Sequence, residues 1–136
     1  MGRILAIDYG KKRTGIAVTD PLQIIATGLT TVETNKLKSF LKEYSSQNEL
    51  EKFVIGLPRQ MSGEYSESYK YIKPFSIWLQ KEFPDKEVIF VDERFTSKLA
   101  MQAIIAGGVK KSARRDKALV DKVSATIILQ TYLENL

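Results

Sequence analysis

The chain of 136 residues sets 21 Lys plus Arg against 16 Asp plus Glu, a formal net charge of +5, and contains neither His nor Cys. Those absences exclude a Ser-His-Asp triad, a Cys-His pair, a His-bearing zinc site and a disulfide framework. Any hydrolytic chemistry must then rest on a carboxylate, a lysine, a tyrosine or a metal-bound hydroxide.

The length and a hydrophobic content of 43% suit one folded domain, spanning 1–136, with its own core. The longest apolar runs, at 4–7 and 88–91, fall far short of a membrane span, and no charged-then-apolar leader opens the sequence. The expectation is a cytoplasmic protein with no membrane partner.

Three β-rich stretches come first, at 3–8, 15–19 and 24–32, separated by turn residues that include Gly10 and the pair Asp20 and Pro21. They predict an antiparallel meander. The run 4–7 does not alternate with polar residues, which predicts a strand buried on both faces and central in its sheet. Leu37, Phe40, Leu41 and Tyr44 then fall at helical spacing, with Thr34 or Asn35 placed to cap the start.

Residues 52–57 form a short apolar strand, and Pro58 with Gly63 turns the following stretch into a loop. Tyr69, Ile72, Phe75, Ile77, Trp78 and Leu79 predict a second helix, with Pro74 marking a kink or a late start. Its aromatic residues suit core packing better than a base-stacking platform. A strand at 87–93 has an apolar body and an acidic exit, and Thr96 or Ser97 can cap a helix running to Gly107 and Gly108. Basic sequence fills 109–115, and a last helix spans roughly 116–134. The order βββαβαβαα argues an α/β protein, a mixed sheet with helices on its faces.

Three carboxylates occupy awkward positions. Asp8 ends the central strand, Glu93 follows the apolar strand 88–91, and Asp121 shares the apolar side of the last helix with Ala125, Ile128 and Tyr132. Buried anions must be paired, hydrogen-bonded or bound to a cation. Each also has an ordinary explanation: Asp8 bonding the turn at 10–15, Glu93 pairing with Arg94, Asp121 pairing with Lys117. Asp92 and Asp116 are further acids close by. Should the three converge, hard oxygen ligands favour Mg²⁺ or Mn²⁺, and a pair of such ions performs phosphodiester hydrolysis without histidine. The basic clusters at 11–13 and 110–115 would hold a polyanion beside them.

Four segments in order carry a resemblance: LAIDYGKKRTGIAV at 5–18, VIGLP at 54–58 with Met61 and Gly63, VDERFT at 91–96, and DKVSATIILQTYL at 121–133. The chain resembles the YqgF/RuvX family of bacterial ribonuclease H-like proteins, associated with Holliday junction resolution and with maturation of 16S ribosomal RNA. The resemblance implies a ribonuclease H-like fold, a five-stranded sheet of three antiparallel and two parallel strands flanked by helices. It implies that Asp8, Glu93 and Asp121 are catalytic, with Asp8 bridging the metals, Glu93 supporting a metal or its water, and Asp121 completing the site from the helix. Lys11, Arg13, Arg59, Arg94, Lys110, Lys111, Arg114 and Arg115 become candidates for phosphate contact.

Two positions depart from the pattern. Leu99 stands where relatives often carry an acid, three places after Thr96, removing a capping-box partner. Ser124 with Ala125 stands in place of a small pair and keeps the helix face close-packed. The implied activity is a Mg²⁺- or Mn²⁺-dependent endonuclease on structured RNA, the precursor of 16S rRNA first, with the small ribosomal subunit as a partner. The alternatives are a resolvase of four-way DNA junctions, which needs a dimer, and a nucleic-acid or ribosome binding module that cleaves little. Residues 8–15 also resemble the first phosphate loop of actin-like kinases, but that nucleotide-binding fold uses two such domains and one is expected here. A monomer or a weak homodimer is expected.

Overall fold

The computed structural model describes residues 2–57, 69–92 and 117–135. Ile4, Leu5, Ala6 and Ile7 are completely shielded from solvent, because β1 (Arg3–Asp8) has a strand on each edge and a helix layer on each face. Its uninterrupted apolar run is therefore the mark of the central strand, as expected.

β2 (Arg13–Thr19) and β3 (Ala26–Glu33) complete an antiparallel meander on one side of β1. β4 (Leu50–Leu57) and β5 (Glu87–Asp92) extend the sheet in parallel on the other side. The order β3-β2-β1-β4-β5 reproduces the mixed sheet of three antiparallel and two parallel strands. The third strand begins two residues later than the sequence pattern suggests, because residues 20–25 form a closed turn anchored on Asp20.

Alternation along the strands sorts the side chains into two cores. Leu5, Ile7, Ile16, Phe53 and Ile55 meet Leu37 and Leu41 of α1 (Leu37–Gln47) and Ile72, Phe75 and Leu79 of α2 (Tyr69–Glu82). Ile4, Ala6, Ala17 and Val54 meet Ala125, Ile128 and Leu129 of α3 (Lys117–Glu134). Each fully buried Ile or Leu contributes roughly 1.5–3 kcal/mol, and together they clamp the sheet between helix layers.

Two expectations need correction. Neither Thr34 nor Asn35 caps α1: residues Thr34–Lys36 form a 3₁₀ turn ahead of the helix, with no side-chain cap at either start. The Thr34 hydroxyl is instead spent on the β1–β2 turn, donating to the Gly10 carbonyl at 2.6 Å. Of the kink or late start expected at Pro74, the late start is overturned: α2 already includes Tyr69 and runs through the proline. The helix around it is held by Phe75, Ile72 and Leu79 in the core, and tertiary burial outweighs the one backbone hydrogen bond that proline forgoes. Phe75, Trp78 and Phe83 pack as ring neighbours, so that part of the aromatic cluster is core, as expected. Among the described residues no helix is long and apolar enough to cross a membrane. The expected helix after Thr96 and the basic segment 109–115 lie outside the described residues.

Candidate functional site

β1, β4 and β5 run parallel, so their carboxyl ends share one edge of the sheet, where ligands collect in open α/β folds. Asp8 is the last residue of β1 and pairs in register with Gly15 of β2. Since Ile4 and Ala6 face α3, alternation puts Asp8 on that same face.

Gly15 fixes what stands over it. A Cβ at this position would overlap the carbonyl oxygen and carbon of Asp121, so the backbone of α3 lies directly on the strand there. Asp8 and Asp121, 113 positions apart in the chain, thereby come to one face and one end of the sheet. Thr31 of β3 adds a tether to the same end of the helix, its hydroxyl donating to the Ala118 carbonyl at 2.6 Å.

Arg13 opens β2 and donates from Nε to Oδ2 of Asp121 at 3.1 Å. Both side chains are partly exposed, 37% and 24%, so the pair is screened by water and contributes at most about 1 kcal/mol to stability. Its local effect is electrostatic: the guanidinium offsets the charge of the Asp121 carboxylate. One partner of Asp121 is thus Arg13 from a distant strand; the side chain of Lys117, the partner expected from the sequence, lies outside the described residues. Arg13 was expected to contact phosphate.

Arg13 and Lys11 project from a turn that is built rather than slack. A Cβ on Gly10 would overlap the Arg13 carbonyl oxygen, which reserves the position for glycine. Thr34 bonds the Gly10 carbonyl and sits 2.9 Å from the buried hydroxyl of Thr14, and its backbone N–H donates to the Lys12 carbonyl at 2.9 Å. Lys11 and Lys12 stand exposed on the tip.

Asp92 ends β5 opposite Leu57. Ile89 and Val91 pack toward α3 whereas Val88 packs toward α1 and α2, so Asp92 falls on the face away from Asp8. Glu93, Arg94, Arg59, Lys110, Lys111, Arg114, Arg115 and Asp116 lie outside the described residues. Among the described residues no three acids gather into a metal-binding group. The role of Gly15 was missed at the sequence level, although a glycine inside an apolar strand is itself a sign of close backbone approach.

Residues 2–135 match the RuvX family, described as Holliday junction resolvase. The chain belongs to the RuvX family. A Porphyromonas gingivalis protein named "Putative pre-16S rRNA nuclease" is 60% identical over 135 residues, covering 99% of this chain and 98% of its own length. A Flavobacterium psychrophilum protein of the same name is 54% identical over 133 residues, covering 98% of this chain and 97% of its own. The structure of T. thermophilus RuvC in complex with Holliday junction substrate superposes with a TM-score of 0.55 at 18% identity, covering 99% of this chain and 96% of that one. At that identity the likeness speaks for the fold alone, and it places the family member described here on the ribonuclease H-like architecture.

Proposed function

We propose that this RuvX-family chain is a metal-dependent endonuclease that hydrolyses phosphodiester bonds in structured RNA, acting in the cytoplasm on the precursor of 16S rRNA. One observation supports the reading: the backbone of α3 at Asp121 lies against Gly15, the register partner of Asp8 at the carboxyl end of β1. The names of the relatives support the choice of RNA.

Asp8, Glu93 and Asp121 are the proposed ligands of Mg²⁺ or Mn²⁺. The donor set fits: carboxylate oxygens are hard ligands, and Asp121 lies beside the guanidinium of Arg13. Glu93 lies outside the described residues and joins the set on the resemblance. Bound ions would supply an activated water and stabilise the leaving oxygen. Asp8 holds the centre of the site from the rigid middle strand, and Asp121 closes it from the helix. Arg13 offsets the charge of Asp121 while no divalent ion is present and turns to a substrate phosphate once the acids are occupied. Lys11 and the basic residues Arg59, Arg94, Lys110, Lys111, Arg114 and Arg115 are the proposed phosphate contacts, chosen on charge and on the resemblance.

The family description and the junction-bound RuvC favour a second reading, resolution of four-way DNA junctions, which requires two copies to cut two strands. The two readings separate when purified protein is given a precursor 16S transcript and a four-way DNA junction with Mg²⁺ or Mn²⁺. The RNA reading expects faster cleavage of the transcript, abolished in Asp8→Asn while transcript binding persists. Faster junction cleavage by a dimeric form supports the alternative. No cleavage of either substrate with either ion overturns the enzyme and leaves a binding module, with the small ribosomal subunit as its natural target.

A further inference from the structure

On the other face of the sheet from Asp121, α1 and α2 leave a cleft of about 280 Å³ lined by Tyr9, Leu37, Lys38, Lys70, Tyr71 and Phe75. Its size lies just below the roughly 300–1,000 Å³ typical of pockets for drug-sized ligands, which suits one flat ring system. The apolar stripe of α2 is Ile72, Phe75 and Leu79, buried in the core, and Tyr71 stands off that stripe with 38% of its surface open to solvent.

The cations around Tyr71 come from separate elements. Lys11, on the β1–β2 turn, places Nζ 5.6 Å from the Tyr71 ring centre, and Lys70 of α2 places its own at 5.5 Å. Lys38 of α1 lines the cleft from the opposite wall and lies 5.0 Å over the Trp78 ring. Among the described residues no acid lines it. The floor is Tyr9 against Phe75, ring centres 5.0 Å apart. Burial pushes the Tyr9 phenol up from its ordinary pKa.

We propose that this cleft is a subsite for an unpaired nucleotide of the substrate, its base stacked on Tyr71 and its phosphates held by Lys11, Lys38 and Lys70. An exposed aromatic face with flanking lysines is the arrangement that binds single strands with little sequence preference. Lys11 shares its turn with Arg13, which contacts Asp121, so the turn joins the cleft to the acidic end of the sheet. A strand crossing it keeps its paired portion at the acids and an unpaired flank in the cleft. The proposal deepens the nuclease reading and rests on it for the identity of the substrate.

The test measures binding without divalent ions, so that no cleavage intervenes. A short single-stranded RNA carrying 2-aminopurine and a terminal fluorophore is titrated with wild type, Tyr71→Phe and Tyr71→Ala. Base–aromatic stacking makes Tyr71→Ala weaker by roughly 5- to 150-fold, while Tyr71→Phe retains affinity and quenches 2-aminopurine as wild type does. Lys38→Gln and Lys70→Gln each lower the logarithmic salt slope by about 0.7 for a single strand. Equal affinity and equal quenching in Tyr71→Ala, with an unchanged melting temperature, overturn the subsite. If wild type cleaves nothing yet Tyr71→Ala still loses binding, the nuclease reading falls and the subsite stands. If cleavage proceeds and Tyr71→Ala binds as wild type, the subsite falls alone.

Discussion

Gly15 lies flat against the backbone of Asp121, and no side chain can intervene between them. The obstacle to a methyl group there is the main chain of α3 at Asp121 and Lys122, so relief requires α3 to lift. Gly15→Ala should destabilise the fold by about 1–3 kcal/mol, the usual cost of overpacking. It should also move Asp121 away from Asp8. A lower urea midpoint together with weaker Mn²⁺ binding by calorimetry checks both effects. Unchanged Mn²⁺ affinity in a destabilised variant would separate the packing role from the site.

The sheet was legible because its signals are local. The unbroken apolar run at 4–7 marks a doubly covered strand, and the turn residues after it mark the meander. The pairing of Asp8 with Gly15 is also nearly local, seven positions across one turn. What the pattern does not contain is side-chain partnership at long range. Arg13 meets Asp121 across 108 positions, and Thr34 spends its hydroxyl on Gly10 instead of capping α1; in each case the choice among several available partners is made by packing. Pro74 illustrates the same limit, since a local breaker yields to three buried neighbours on its helix. Tyr71 was readable in principle, because it falls off the stripe of Ile72, Phe75 and Leu79 by one position.

Arg13 contributes charge more than stability. Arg13→Gln should change the unfolding free energy by less than about 1 kcal/mol, because its ion pair is partly exposed. It should tighten Mn²⁺ binding, since a guanidinium no longer competes for Asp121, and weaken transcript binding, since a phosphate contact is lost. Calorimetric titration with Mn²⁺ and anisotropy with labelled RNA measure the two in opposite directions. A parallel loss of both affinities would instead make Arg13 a structural support for Asp121.

Asp20 anchors the β2–β3 turn by accepting backbone N–H bonds from Ile25 at 2.7 Å, Ile24 at 2.9 Å and Leu22 at 3.1 Å. These bonds, that from Ile25 foremost, hold its carboxyl below the ordinary carboxylate value. A carboxyl depressed in the folded state adds stability that is full above the unfolded-chain value near pH 4. That stability is lost as pH falls through the folded value. The stability difference between wild type and Asp20→Asn should therefore be present at pH 6 and shrink steadily below about pH 4. Urea midpoints across this range test it, and a difference that grows on acidification would contradict the assignment.

Thr34 has one hydroxyl proton, and it goes to the Gly10 carbonyl, so the buried Thr14 hydroxyl must be the donor in the 2.9 Å contact between the two side chains. Thr34→Val removes a donor to one group and the acceptor of another. Leaving the Thr14 hydroxyl without that acceptor should cost about 1–3 kcal/mol, and Thr34→Ser should restore most of it. Because the same bonds hold the turn that carries Lys11 and Arg13, Thr34→Val should also weaken RNA binding more than its loss of stability accounts for. Chemical denaturation and anisotropy on the Val and Ser variants distinguish the outcomes. Equal binding by both variants well below their melting temperatures would show that the turn keeps its shape from Gly10 and the strand pairing alone.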